Sequence, residues 1–402
     1  MTPSNCDVVI AGSGPAGMLS ALGFAHDGFS VTLAGPKPAR DDRRTTALMR
    51  PALAYLDTLD VLSRVEPQAA PLSIMRIVDA TKRLVRSPVV TFRANEIGEE
   101  HFGLNMPNTI LNEALEAAIA ERRAIRWIRE PVTAWEVGNA AVTLTAGSGE
   151  RVSAPLAIAA EGRNSPGREA AGIKTSGRTY PQSALVLNFG HSRDHGATST
   201  EFHTETGPFT QVPLPGRRSS LVWVVRPETA EALIALDDAA LSRRVEEGMQ
   251  SMLGRVTVEP GRQIYPLSAL LPQRFAQDRI ALVGEAAHVF PPIGAQGLNL
   301  GVRDVMDVVR TAAEHREDPG SAGALAVYDR RRRPDIVARS TAVSLLNASL
   351  LSDMLPAQLA RSAGLGALKT LSPLRAFFMR EGMQPGSGFA RAASSLREQF
   401  GR

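Results

Sequence analysis

The hydrophobic positions of this chain fall into runs of two kinds. Asp7-Val-Val-Ile-Ala11 and Ile280-Ala-Leu-Val283 are short unbroken apolar runs followed by glycine. Such runs read as parallel strands buried on both faces. After the first comes Gly12-Ser-Gly14-Pro-Ala-Gly17, a helix through about His26 and a second strand, Ser30–Ala34, which together make a βαβ start. After the second comes the turn Gly284-Glu285-Ala-Ala-His288, the loop Pro291-Pro-Ile-Gly-Ala-Gln-Gly297 and a helix from about Leu298. A third strand, Pro155–Ala159, leads into Glu161-Gly162. Apolar spacing predicts helices over Thr46–Leu62, over 107–124 and from about Glu228 to Met252. Residues 183–226 alternate polar and apolar positions, with turn signals at Gly207-Pro208 and Pro215-Gly216, and so predict antiparallel sheet. The tail beyond Arg333 reads as amphipathic helix broken at Pro356, at Gly364-Leu-Gly366 and at Pro373.

Composition narrows the classes. A chain of 402 residues that is 44% hydrophobic has room for two or three domains and a large core. Its one cysteine, Cys6, excludes an internal disulfide and a cysteine-built metal site, and reads as a buried inert thiol. The seven histidines show no paired metal-binding spacing, so no metal is expected. The net charge of +4 is carried mostly by arginine, since Lys37, Lys82, Lys174 and Lys369 are the only lysines. It is too diffuse, and too free of aromatic interleaving, to predict nucleic-acid binding. The run Arg330–Arg333 reads most simply as a solvated helix end, with a membrane-facing patch as the alternative. No apolar stretch approaches the ~20 residues of a membrane span. A core strand near Asp7 leaves no room for a signal peptide, so a cytoplasmic location is expected, with peripheral association at the inner membrane face as a further option.

The chemistry lies in three turns. Gly12, Gly14 and Gly17 form G-x-G-x-x-G between a strand and a helix, the context a dinucleotide site needs. Gly12 permits the tight turn, Gly14 lets the backbone approach a pyrophosphate and Gly17 allows close helix–strand packing. Pro15 and Ala16 open the helix, where proline's missing N–H costs nothing. The ribose-binding acid expected at the end of the second strand is replaced by Ala34-Gly35, leaving Lys37, Arg40 or Arg44 as phosphate partners. Glu161-Gly162, followed by Ser165 and Arg168, can bridge phosphates. Glu285 sits upstream of a loop that offers N–H groups and a positive helix end. A carboxylate beside an anion-binding helix end suits a ligand with a polyol and a delocalised anionic ring, as reduced flavin dinucleotide has.

These three turns, in this order, resemble the class A flavoprotein aromatic hydroxylases, the group that includes p-hydroxybenzoate hydroxylase. Within that group the chain is most similar to the ubiquinone-biosynthesis hydroxylases (UbiH/UbiF-like). The likeness extends through Asp42-Arg-Arg44-Thr-Thr-Ala47-Leu48, Gly207-Pro-Phe209, Pro213-Leu214-Pro215, Ser219–Trp223 and Gln296-Gly-Leu-Asn-Leu-Gly-Val-Arg-Asp304, and fades after about Gly382. It implies an α/β fold: a Rossmann-like FAD-binding domain (1–75, 101–180, 265–340), an inserted antiparallel β-sheet substrate domain (76–100, 181–264) and a helical C-terminal tail (341–402). It implies that Gly12, Gly14, Pro15, Ala16 and Gly17 hold the FAD pyrophosphate and that Arg44 lies near the phosphates. Glu161-Gly162 and Gly284-Glu285 would take the two acidic motifs, with glutamate where the family more often has aspartate. Pro291 and Pro292 would line the flavin face and, with Gly294, make up the catalytic loop, while Gly297, Leu298 and Asn299 would meet the flavin's pyrimidine edge.

The implied reaction is hydroxylation of the aromatic ring of a polyprenyl-phenol in ubiquinone biosynthesis through a flavin hydroperoxide. It would use FAD, O2 and either NAD(P)H or an electron-transfer protein, because only one nucleotide-binding βαβ unit is present. His203, His288 and Tyr265 read as structural rather than as bases. The rivals are a flavin monooxygenase of a soluble aromatic compound, and a non-catalytic scaffold in a membrane-associated biosynthetic complex.

Overall fold

The computed structural model describes residues 3–82, 86–291, 296–351 and 355–383. The apolar runs pair in one six-stranded sheet, in the order Ala276–Gln277, Ile280–Leu282, Leu156–Ala159, Val8–Ala11, Val31–Ala34, Ile125–Ile128. All neighbours are parallel except the edge pair Ala276–Gln277 and Ile280–Leu282. Register sets Ala157 beside both Val9 and Ile280, so the three strands that carry the glycine-rich and acidic turns lie side by side. Their turns must therefore emerge at one edge of the sheet, outside the strands' carboxyl ends, where open α/β sheets bind ligands. Helices Pro15–His26, Asn108–Ala120 and Gln296–Glu314 pack around this sheet. Val8, Val9, Ile10, Met18, Leu19 and Phe24 are fully buried beneath them. Each such side chain contributes about 1.5–3 kcal/mol by leaving water.

The second large sheet is mostly antiparallel. Its path runs Val256–Val258, Thr175–His191, Arg218–Val225, Pro208–Leu214, Thr198–His203, Ile74–Asp79, Val90–Arg93, with Gln263–Pro272 also on Thr175–His191. Alternation along Thr198–His203 sends Phe202 to a core shared with Leu185, Phe209, Leu241 and Val245. Helices Pro227–Ile234 and Asp238–Gly248 carry that core's other side. Glu201 and His203 face the opposite way. A small sheet, Thr45–Met49, Gly103–Pro107 and Ala70–Pro71, packs against strand Pro208–Leu214 and helix Gln296–Glu314.

Four expectations are corrected. The stretch predicted as helix over Thr46–Leu62 begins as the strand Thr45–Met49, paired with Gly103–Pro107. β-branched Thr45 and Thr46 favour that pairing, and Pro51 starts the helix Arg50–Thr58 behind it. The helix expected from Glu228 to Met252 is two helices, because Asp237 caps the second through the Ala240 N–H at 2.7 Å. Gly364-Leu-Gly366 does not break the tail but lies inside Leu355–Thr370; Pro356 and Pro373 stand in the first turns of their helices. Arg330–Arg333 is no helix end: it lies within Ala322–Leu351, and Arg332 is buried.

Candidate functional site

The three turns touch. A Cβ at Gly12, whose φ is +99°, would fall 2.3 Å from the Ala160 carbonyl oxygen, and one at Gly17 would fall 1.8 Å from the Gly12 oxygen. Only glycine permits that crossing. Gly284 brings the third turn against the first, since a Cβ there would lie 2.9 Å from Ala16 Cβ. At Gly14, by contrast, a Cβ would meet nothing within 4 Å. Gly14 is the N-cap of Pro15–His26 and makes no side-chain cap hydrogen bond. The helix's first N–H groups thus face open space with a positive end and no protein acceptor from the cap. A pyrophosphate fits that cradle.

The Glu161 turn is self-contained. Ser165 Oγ donates to Glu161 Oε2 at 2.6 Å and the Gly167 N–H to Oε1 at 3.0 Å. Burial pushes the Glu161 carboxyl above its ordinary pKa, against the lowering effect of these donors. Gly162, at φ +88°, carries the chain away in a conformation that favours glycine. Ser165 and Arg168, read from sequence as phosphate partners, are both buried and used internally. Ser165 Oγ accepts from the Arg168 N–H, and the Arg168 guanidinium donates to the carbonyls of Arg163 at 2.7 Å and Ala286 at 3.0 Å. Arg168 therefore ties the first acidic turn to the second.

In the second turn Glu285 is exposed and makes no hydrogen bond to a described residue, while its neighbours are held by Asp304. Asp304 Oδ2 accepts from the Gly284 N–H at 3.0 Å and lies 2.7 Å from His288 Nε2; Arg332 Nε donates to Oδ1 at 2.8 Å. All three side chains are buried. His288 fixes the loop, as its sequence position suggested. Sequence reading missed Asp304 and Arg332 as its anchor, although Asp304 closes the segment that carried the resemblance.

Beyond His288, Val289 pairs with Leu270 of the large sheet through two backbone hydrogen bonds of 3.0 Å, which pins Pro291 beside that sheet. Pro292 and Gly294 lie outside the described residues. Asn299 clasps the strand Thr45–Met49: the Met49 N–H donates to its Oδ1 and its Nδ2 donates to the Ala47 carbonyl, both at 2.8 Å. Its side chain is thus a strut, and the backbone N–H groups of the first turn of Gln296–Glu314 are the groups left for a ligand. Arg44 is fixed by Asp42, with Nε and Nη2 donating at 2.9 and 2.8 Å, and lies over the Tyr265 ring. That pairing, ahead of weaker help from Tyr265 and Glu285, raises the Arg44 pKa against the opposing effect of burial. Lys37 is paired with Glu116 at 3.0 Å. Arg40 is exposed.

Two cavities open between these turns and the large sheet. The smaller, about 220 Å³, is lined by Arg44, Arg163, Tyr265, Phe290 and Pro291. The larger, about 470 Å³, has Phe290, Gly297 and Leu298 on one side and Met75, Ile77 and Val212 among its apolar walls. Thr45, Ser220, Val222 and Phe290 line both, and the Thr45 hydroxyl donates to Ser220 Oγ at 2.9 Å. The turns can hold a dinucleotide whose ring end meets an apolar chamber.

A Rossmann-like sheet, an anion cradle and an apolar chamber at the helix start define a flavoprotein of the FAD-binding α/β class. The FAD binding domain family matches residues 5–342, and the chain belongs to it. It is 33% identical to the ubiquinone hydroxylase UbiL of Rhodospirillum rubrum, over 94% of this chain and 89% of that one. It is 30% identical to the 3-demethoxyubiquinol 3-hydroxylase of Escherichia coli, over 93% and 97%. Among solved structures, p-nitrophenol 4-monooxygenase from Pseudomonas putida shares the fold with a TM-score of 0.76 at 20% identity, over 96% and 98%. No helix among the described residues is long and apolar enough to cross a membrane.

Proposed function

We propose that this protein is an FAD-dependent monooxygenase that hydroxylates the aromatic ring of a polyprenyl-phenol intermediate in ubiquinone biosynthesis. The observation that carries this reading is the 470 Å³ chamber, apolar on most sides, that opens onto Gly297 and Leu298 at the start of a long helix. The names of the two bacterial relatives supply the pathway. In this reading Gly12, Gly14, Pro15, Ala16 and Gly17 cradle the pyrophosphate, and Glu285 accepts hydrogen bonds from the ribityl hydroxyls. Gly297, Leu298 and Asn299 turn backbone N–H groups to the ring's pyrimidine edge, where the helix end stabilises negative charge. Glu161 and Gly162 shape the neighbouring turn, Arg44 stands at the mouth of the smaller cavity, and Pro291 borders the ring.

When bound and reduced, FAD supplies the activation of O2. The protein's own task is to exclude water and orient the ring. Leu72, Met75, Ile77 and Phe92 make a dry wall for that purpose. The reductant, NAD(P)H or an electron-transfer protein, comes from outside, and a prenylated substrate brings the enzyme to a membrane or to partner proteins. Exposed Leu371 and Phe378 on the C-terminal helices are suited to such contact.

The test is reconstitution with FAD, reduction by NAD(P)H or a ferredoxin–reductase pair, and mass spectrometry of a short-chain prenylphenol incubated with oxygen. Gain of one oxygen on the ring is the expected result. Reductant oxidation stimulated by small soluble phenols, with the prenylphenol untouched, would instead assign a soluble aromatic substrate. A bound flavin that no donor reduces would leave the scaffold reading.

A further inference from the structure

The larger cavity holds one feature that hydroxylation of a greasy ring does not by itself require. Glu201 is the one carboxylate that lines this mostly apolar chamber, whose other charged lining residue is Arg76. It sits on Thr198–His203, where alternation puts Phe202 in the core and Glu201 and His203 on the cavity side. His203 Nε2 lies 2.8 Å from Glu201 Oε1, and the Thr210 hydroxyl donates to Oε2 at 3.4 Å. The His203 side chain is 3% exposed, and its Nδ1 has no hydrogen-bond partner among the described residues. A buried ring nitrogen without a partner costs stability. Among the described residues, the one hydrogen-bond partner of the His203 side chain is therefore Glu201, and that contact fixes where the carboxylate points. An ionised carboxylate has about four lone-pair sites. Two contacts leave acceptor capacity for a ligand in the chamber.

We propose that Glu201 is the specificity-determining residue of this cavity, accepting a hydrogen bond from the free ring hydroxyl of the substrate, with His203 as its positioning residue. The proposal rests on the polyprenyl-phenol reading above and deepens it. A neutral phenol is the ligand class that a lone carboxylate in an apolar chamber welcomes, because its O–H satisfies the acceptor and its ring and tail fill the rest. The chamber's other charged lining residue, Arg76, turns its guanidinium away, with Nη1 3.8 Å from Met252 Sδ on the core side of the sheet, so an aromatic carboxylate of similar ring size meets the Glu201 charge and is rejected. A phenol ether offers no donor and leaves the remaining acceptor sites of Glu201 unfilled. The same hydrogen bond pushes electron density from the hydroxyl oxygen into the ring, the direction an electrophilic hydroxylation needs.

The test is calorimetric binding to the oxidised FAD-loaded protein of three probes: a short-chain 2-prenylphenol, its methyl ether, and p-hydroxybenzoate. A hydrogen bond to a buried charge predicts that the phenol binds at least about tenfold more tightly than the ether, with p-hydroxybenzoate weakest. Glu201→Gln should shrink the phenol preference to within about threefold and admit p-hydroxybenzoate. His203→Phe should lower phenol affinity while leaving ether affinity unchanged, and His203→Gln, which still donates to Glu201, should restore the preference. A merely structural His203 would move both affinities together. Equal binding of phenol and ether by the unaltered protein overturns the proposal without any variant, as does a preference that survives Glu201→Gln. If the unaltered holoenzyme binds neither prenylated probe, the polyprenyl-phenol reading falls and takes this proposal with it. If it binds both equally, the proposal alone falls.

Discussion

Glu161 and Glu285 occupy equivalent places on neighbouring parallel strands, yet the fold uses them in opposite ways. Each follows the last apolar residues of its strand, Leu156–Ala159 in one case and Ile280–Leu282 in the other. Glu161 turns inward and spends both oxygens on its own loop. Glu285 turns outward and is bonded to no described residue. The difference follows from what else can hold each turn. The second turn borrows Asp304 from the following helix, which takes the Gly284 N–H and His288, the service that Glu161 performs for the first. An acid freed from holding its own loop can serve a ligand. Arg168, reaching from the first turn to the Ala286 carbonyl, keeps the two in register.

Removing the borrowed anchor should have the largest effect. Asp304→Ala leaves the Gly284 N–H, His288 and one face of Arg332 without their acceptor in a site closed to water. Breaking such a buried charged network costs about 3–5 kcal/mol. Urea denaturation should show that loss together with weak FAD retention, because the turn that carries Glu285 loses its support. A loss below about 1 kcal/mol would mean that Asp307 and Asp335, which also receive Arg332, hold the turn without Asp304.

The comparison also marks what sequence could and could not reveal. The buried runs at Val8–Ala11 and Ile280–Leu282 were legible because unbroken apolarity beside glycine is a local signal. So were the glycines at 12 and 17, whose necessity arises within one turn. Thr45–Met49 was not, since its apolar spacing fits a helix and the partner that makes it a strand, Gly103–Pro107, is more than fifty residues away. Arg332 was unreadable for the same reason: a run of arginines looks solvated until Asp304, 28 residues earlier, is found beneath one of them. The two glutamates carry the same letter after the same kind of strand, and only the distant aspartate separates their roles.

A second, smaller effect should follow from Glu161→Gln. The amide nitrogen carries two hydrogens where the protonated carboxyl carries one, so one N–H is left without an acceptor in the buried turn, at about 1–3 kcal/mol. The pH dependence identifies the cause. Burial raises the Glu161 pKa, so this group's contribution to stability is complete below the ordinary glutamate value and is lost as pH rises through the raised one. The unaltered protein's lead over Glu161→Gln should therefore be widest in acid and narrow towards neutrality. A lead that grows with pH would show that the carboxylate is favoured in its charged form, and would erase the contrast with Glu285.

Gly14→Val separates the cradle from the fold. The added side chain starts in open space and the φ of −69° suits any residue, so melting temperature without cofactor should hold. FAD occupancy of the purified protein, read from its flavin spectrum, should fall to a small fraction because valine fills the approach to the helix end. Full occupancy in that variant would remove Gly14 from the cofactor site, and with it the reason its Cβ position is empty.

Glu285→Gln should be the quietest change to the fold and the most telling for the comparison. An exposed side chain without bonds to described residues can be altered within about 0.5 kcal/mol of stability. Glutamine keeps the length and one acceptor but surrenders the charge that strengthens hydrogen bonds from ribityl hydroxyls. FAD affinity should weaken about tenfold, or on the order of 1.4 kcal/mol, as read by fluorescence titration of the apoprotein. The decisive quantity is the ratio of the two losses in each variant. Glu161→Gln should spend its effect on stability and little on FAD, and Glu285→Gln the reverse. If both variants lost FAD affinity equally while stability held, Glu161 would have to leave Ser165 and Gly167 when the cofactor binds. The first turn would then be a second ligand site that the bonds within its own loop conceal.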